Sequence, residues 1–176
     1  MTVSVTNRLV VLRHAKAEPH GAGGDLQRPL ALRGRRQASA VGRALLAAGV
    51  APEAVLCSPA LRTRQTWELA SAAWAGDDAL PAARWPEELY DARVEDVLEL
   101  LAGLGDARTV VVVGHEPTVS SLAAYLAGEE DSDAGALAQV RTGVPTATWS
   151  VLESAAPWGE WSRGSAVLQR VVPPGE

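Results

Sequence analysis

The chain has 176 residues, of which 47% are hydrophobic, and it carries a formal net charge of -5 and one cysteine. This length and apolar content predict one domain, spanning residues 1–176, with a core of its own. The acidic balance argues against sequence-independent nucleic-acid binding, which needs a basic surface. One cysteine excludes an internal disulfide, and no apolar stretch has the length of a membrane span or precedes Arg8 as a signal-peptide core. We therefore expect a cytoplasmic protein with no membrane partner.

The pattern of apolar residues predicts strands and helices that alternate along the chain. In chain order these are a strand at 9–12, a loop at 26–31, a helix at 33–48, a strand at 54–57, a helix from 59 to about 73, a weak strand at 82–85, a helix from 94 to about 104, a strand at 109–113, a helix from 117 to about 128, an exposed loop at 128–135, and strands at 146–153 and 165–172. Ser58 and Pro59 fit the N-cap and first position of the second helix. The alternation predicts a three-layer α/β/α sandwich with a mostly parallel central sheet, to which the last two strands add a hairpin or edges.

Two of the three histidines follow predicted strands. His14 comes after Arg13 at the end of the first strand, and His115 comes after Gly114 at the end of the strand at 109–113. Ligands of parallel sheets collect beyond the carboxyl ends of the strands, so we expect both imidazoles to lie at one site. His20 lies in a glycine-rich loop, where we expect it to be exposed and to have no role.

Arg62 lies one turn into the predicted second helix, close to the helix end that favours anions. Its planar guanidinium can donate to two phosphate oxygens at once, and it stays charged at any working pH. Together with Arg13 and the two histidines, it predicts a phosphate pocket. Cys57, in the apolar strand just before, is expected to be a buried and inert thiol.

These residues resemble the signature of the histidine phosphatase superfamily. The signature has Arg-His with a small residue, then Ser-x-x-x-Arg-x-x-Gln-Thr, then Gly-His, and the chain has Arg13-His14-Ala15, 58–66, and Gly114-His115 in that order. Arg28-Pro29-Leu30 and Glu116-Pro117 add a resemblance to the short SixA-type phosphohistidine phosphatases, over roughly residues 8–127. The resemblance implies a phosphoglycerate mutase-like fold. Ala15 departs from the glycine that is usual at its position.

The resemblance also implies a mechanism that needs no metal and no cofactor. His14 is the nucleophile that forms a phosphohistidine intermediate, while Arg13, Arg62 and His115 surround the transferred group. Arg28 is a further expected phosphate contact. Glu88 best matches the position at which the family often has a proton donor.

Several functions remain open at this point. The segment between the weak strand and the next helix is short, which predicts an open pocket and favours phosphohistidine on a protein as substrate. A small phosphorylated metabolite, such as a sugar phosphate, is the first alternative, and a non-catalytic phosphate-recognition module is the second. A metal site built on His14 and His115 lacks a supporting ligand spacing. Phosphoglycerate mutase chemistry would need a more enclosed site.

Overall fold

A mixed sheet of five strands lies at the centre of the structure, a computed structural model that describes residues 6–20 and 22–175. The strands are β1 (Asn7–Arg13), β2 (Ala54–Cys57), β3 (Thr109–Gly114), β4 (Trp149–Ser154) and β5 (Val167–Val172). Their order across the sheet is β2-β3-β1-β4-β5. The first three run parallel, whereas β4 is antiparallel to β1 and β5 is antiparallel to β4.

Helices cover both faces of this sheet. They are α1 (Leu32–Ala47), α2 (Leu61–Ser71), α3 (Val94–Ala102), α4 (Thr118–Leu126) and α5 (Ala134–Thr142). Side chains of β1 alternate between two buried clusters, with Leu9 and Val11 against α3, α4 and α5, and Val10 and Leu12 against α1 and α2. Burial on both faces explains the continuous apolar run of this strand and confirms the three-layer architecture.

The expected mostly parallel sheet needs correction, because two of the four strand pairings are antiparallel. After α5 the chain reaches β1 at its carboxyl end, where Ala147 N–H donates to the Arg13 and His14 carbonyls at 3.2 and 3.0 Å. A strand that starts at that end must run back along β1 in the opposite direction. β4 and β5 then form the predicted terminal hairpin.

Three local predictions also differ from the structure. α2 begins at Leu61 rather than Pro59. The weak strand at 82–85 is a single bridge, in which Arg84 exchanges backbone hydrogen bonds with β2. The predicted loop at 128–135 runs into α5, a helix whose first turn is capped by the Asp133 carboxylate accepting from Ala136 N–H at 2.7 Å.

Two glycines of α1 permit close packing against the backbone of neighbouring segments. A Cβ on Gly42 would lie 2.0 Å from the Ala70 carbonyl oxygen of α2, and one on Gly34 would lie 1.9 Å from the Lys16 carbonyl oxygen. No side chain fits in either space. The glycines therefore hold α1 against α2 and against the loop that follows His14.

The tryptophans supply much of the aromatic packing in a chain without phenylalanine. Trp67 and Trp74 lie in the cluster beneath α1 and α2, with ring centroids 6.1 Å apart. Trp158 and Trp161 lie in the opposite cluster, 4.6 Å apart. Trp85 is exposed instead. None of the helices in the described part of the chain is long and apolar enough to cross a membrane.

Candidate active site

The carboxyl ends of β1 and β3 place the two histidines side by side. Arg13 pairs with Gly114 in the parallel register, and the backbone N–H of His14 donates to the Gly114 carbonyl at 3.0 Å. The ring centroids of His14 and His115, the residues that follow, are 5.3 Å apart. The structure thus brings together the two imidazoles that the sequence singled out.

His14 is held in one tautomer. Its Nδ1 lies 2.8 Å from the Ala15 carbonyl oxygen, which can only accept, so Nδ1 carries the proton. Burial lowers the pKa of His14 to about 4, and the Arg62 and Arg13 charges act in the same direction. At neutral pH the ring is therefore uncharged, with a free electron pair on Nε2.

His115 is held the other way round. Its Nε2 lies 2.7 Å from the Ser58 hydroxyl, and that hydroxyl accepts from Ala60 N–H at 3.4 Å. Burial lowers the pKa of His115 to about 3, and the Arg62 charge lowers it further. In the neutral tautomer in which Ser58 donates to Nε2, the proton lies on Nδ1, a buried atom with no hydrogen-bond partner among the described residues. His115 can donate this N–H to an anion.

The two arginines present similar free edges. Arg13 donates from Nη1 to the Val144 carbonyl at 2.6 Å, and Arg62 donates from Nη1 to the Asp25 carbonyl at 2.8 Å. The Nε atoms of both are buried and have no hydrogen-bond partner among residues 6–20 and 22–175. Each guanidinium thus keeps an N–H available to a ligand. Arg62 lies in the first turn of α2, whose amino end also favours an anion.

A half-exposed carboxylate at the pocket rim was not predicted from the sequence. Asp25 accepts from Arg28 Nε at 2.8 Å, from Arg62 Nη2 at 3.0 Å and from the Tyr90 hydroxyl at 2.6 Å. Tyr90 also packs edge-on against the His115 ring, with centroids 5.8 Å apart. The structure therefore brings Arg28 to Asp25 at the rim, together with Tyr90, and the role of Arg28 as a phosphate contact stays a prediction.

Side chains of α1 and α2 anchor the loop after His14. The Thr66 hydroxyl accepts from Ala15 N–H at 3.0 Å, Gln37 Oε1 accepts from Lys16 N–H at 3.1 Å, and Gln65 Oε1 accepts from the backbone at Leu30. This explains why Gln-Thr accompanies the arginine in the motif of α2. Ala15 is buried without a positive φ, so its methyl group causes no backbone strain.

Glu88 is not brought to the histidines. It is exposed in a 3₁₀ turn at Glu87–Leu89, and it neither bonds to a described residue nor lines the groove beside His115. Its role as proton donor stays a prediction. Among the carboxylates that line this groove, Glu116 directly follows His115, and its Oε2 accepts from the Ser120 hydroxyl.

An open groove of about 850 Å³ runs from His115 past the start of α3 and along α4. Charged side chains of both signs line it: Asp91, Arg93, Glu95, Glu116, Arg141 and Arg163. Within residues 6–20 and 22–175 there is no group of three His, Cys, Asp or Glu side chains that could hold a metal ion. Cys57 is buried, which raises the pKa of its thiol, and His20 is exposed.

The fold and the paired histidines among arginines define an enzyme that handles phosphoryl groups. Residues 9–87 match the model of the histidine phosphatase superfamily, branch 1. SixA from Nakamurella multipartitia is 34% identical, with a TM-score of 0.82 over 97% of this chain and 98% of its own. The protein histidine phosphatase SixA complexed with tungstate is 25% identical, with a TM-score of 0.74 over 95% of this chain and 97% of its own.

An uncharacterized protein of Mycobacterium tuberculosis is 43% identical over 159 residues, which is 89% of this chain and 96% of that protein. The chain belongs to the histidine phosphatase superfamily, resembles its SixA members, and is a phosphatase. The alternative of a non-catalytic recognition module is therefore not retained.

Proposed function

We propose that this phosphatase removes the phosphoryl group from phosphohistidine on a protein, without a metal, and that His14 is the nucleophile. The observation that carries the proposal is the hydrogen bond from His14 Nδ1 to the Ala15 carbonyl at 2.8 Å. This bond places the proton on Nδ1, so the free electron pair lies on Nε2. Burial keeps the ring neutral.

In the proposed reaction, His14 Nε2 attacks phosphorus in line with the leaving nitrogen. The substrate ring carries a proton on its other nitrogen, so when its P–N bond breaks the electron pair stays on the leaving nitrogen and a neutral imidazole departs, while a phosphohistidine forms on His14. Water then attacks the same phosphorus, the new P–N bond breaks, and its electron pair returns to Nε2. Arg13 and Arg62 offer Nε–H, and His115 offers Nδ1–H, to the oxygens on which charge develops.

Two features favour a phosphohistidine substrate. An imidazole is a better leaving group than an alkoxide and depends less on a proton donor, which suits a pocket that Glu88 does not line. The groove beside His115 is open and lined by charges of both signs, whereas small-molecule pockets are mostly apolar and enclose their ligand. A polypeptide carrying the phosphoryl group can lie along such a groove. The similarity to the protein histidine phosphatase SixA also supports a protein substrate.

The test compares substrates in the presence of EDTA. The wild type should release phosphate from a protein phosphorylated on histidine, and do so with a higher kcat/KM than from p-nitrophenyl phosphate or sugar phosphates. His14→Ala should lower kcat at least a thousandfold, as expected for loss of a nucleophile. Acid-labile, alkali-stable phosphate should be trapped on His14 of the wild type.

His20→Ala is the matched control, because His20 is exposed in the loop and should be dispensable. Activity retained by His14→Ala would overturn the assignment of His14 as the nucleophile. Loss of wild-type activity in EDTA would overturn the metal-independent mechanism. A higher kcat/KM for a sugar phosphate would favour the small-metabolite alternative.

A further inference from the structure

Asp25 joins three separate segments at the pocket rim. Its carboxylate accepts from Arg28 within the same loop, from Arg62 in α2, and from Tyr90 after the 3₁₀ turn at Glu87–Leu89. Its backbone carbonyl accepts from Arg62 as well. Loss of this one side chain would release Arg28 and Tyr90 and would leave Arg62 with only its bond to the backbone carbonyl.

The contacts with Arg62 fix the direction of its guanidinium. Nη1 donates to the Asp25 carbonyl at 2.8 Å and Nη2 donates to the Asp25 carboxylate at 3.0 Å. Because the guanidinium is planar and rigid, two bonds to its outer edge also set where the Nε–H points. That Nε is buried and has no partner in the part of the chain that the structure describes, so Asp25 binds one edge and leaves the other to a ligand.

Charge gives Asp25 a second role. The Arg62 side chain is 6% exposed, and a buried cation without a counter-charge is costly. Asp25 supplies that charge on the side away from the free Nε. Hydrogen bonds from Tyr90, Arg28 and Arg62 hold the pKa of Asp25 well below its ordinary value, so the carboxylate stays ionised and is unsuited to donate a proton.

We propose that Asp25 is a positioning residue, which acts through Arg62 by holding the outer edge of its guanidinium so that Nε faces the phosphoryl group. The inference rests on the proposed phosphate site at His14. The proposal adds Asp25, an acidic residue of the loop, to the pocket residues of the motif. Arg28 and Tyr90 hold the Asp25 carboxylate in place.

The test is a double-mutant cycle between Asp25 and Arg62, with inorganic phosphate as ligand and p-nitrophenyl phosphate as substrate. Asp25→Ala should weaken phosphate binding in calorimetry by about tenfold and lower kcat/KM by roughly 10- to 100-fold, as misplacement of a binding group does. In the Arg62→Gln background, the same change should alter both quantities less than twofold. Asp25→Asn, which keeps an oxygen acceptor for Arg62, should retain more activity than Asp25→Ala.

Asp78→Asn is the charge-matched control, since Asp78 is exposed and outside the pocket, and it should match the wild type. If Asp25→Ala does not fold, Tyr90→Phe removes one donor to the carboxylate and should give a smaller loss with the same dependence on Arg62. Thermal melts establish folding. Tighter phosphate binding by Asp25→Ala would overturn the inference, because the carboxylate would then compete with phosphate. An equal loss in both backgrounds would overturn it too.

The outcomes separate this inference from the proposed function. A wild type that cleaves p-nitrophenyl phosphate but not a phosphohistidine protein would overturn the proposed substrate and leave the Asp25 cycle measurable. Phosphate binding that requires Arg62 but ignores Asp25 would overturn only the positioning role. Phosphate binding that ignores both Arg13 and Arg62 would overturn both.

Discussion

Lowering the pH from 7.5 to 5.0 should destabilise this protein through His14. Burial lowers the pKa of His14 in the folded protein to about 4, against an ordinary value of 6.5. Between these values the unfolded chain binds a proton that the folded protein does not, so the free energy of unfolding falls as the pH drops. At pH 5.0 this linkage amounts to about 2 kcal/mol for His14 alone.

Urea unfolding followed by circular dichroism at the two pH values measures this loss. The free energy of unfolding of His14→Gln should fall by about 2 kcal/mol less than that of the wild type, because glutamine does not titrate. His20→Gln, at an exposed position, should keep the wild-type pH dependence. Equal losses in the wild type and His14→Gln, or a pKa of His14 near 6.5 in an NMR titration of the folded protein, would refute the reasoning.

Replacing Ser58 by alanine should lower kcat/KM by about tenfold, since it removes a hydrogen bond of about 1.4 kcal/mol that holds the His115 ring in place. Gly42→Ala should lower the free energy of unfolding by about 1–3 kcal/mol in a thermal melt, because its methyl group would overlap the Ala70 carbonyl. Cys57 should resist a thiol reagent in the folded protein and react only after unfolding, because it is buried with a raised thiol pKa.

Matched control variants distinguish these effects from a general loss of folded structure. Ser58→Thr keeps the hydroxyl and should retain more activity than the alanine variant. Gly159→Ala adds a methyl group that would have no described atom within 4 Å beyond its chain neighbours, so it should leave the melting temperature unchanged. Wild-type activity in Ser58→Ala, an unchanged melt of Gly42→Ala, or rapid labelling of folded Cys57 would contradict the respective prediction.

The apolar runs of the sequence predicted most of the layers, because burial on both faces leaves little room for polar residues. β2 and β3 fall within one residue of their predicted bounds, and α1 begins and ends one residue early. The start of α2 was predicted too early because Ser58 was interpreted as its N-cap. The Ser58 hydroxyl is bonded to His115 instead, and the helix begins three residues later. α5 was missed because an acidic, glycine-containing stretch precedes a helix whose stability depends on packing in the core.

The residues of the candidate site also fall into two groups, those that the sequence could place and those that it could not. Arg13, His14 and His115 could be placed from sequence because strand ends and motif order fix them on neighbouring strands. Asp25 and Tyr90 could not, since their contact depends on how a loop folds back over the sheet. Glu88 matched the family's proton donor only by its position in the sequence, and the 3₁₀ turn directs it to solvent.

The two tryptophan pairs allow each side of the sheet to be monitored separately by fluorescence. One pair lies beneath α1 and α2 and the other beneath α3, α4 and α5, so each reports on a different layer. In a Trp85→Phe background, variants with phenylalanine at Trp67, Trp74 and Trp149, or at Trp158 and Trp161, would let intrinsic fluorescence follow one layer at a time. Coincident transitions would mean that the two layers unfold as a single cooperative unit, and separate transitions would identify which layer opens first.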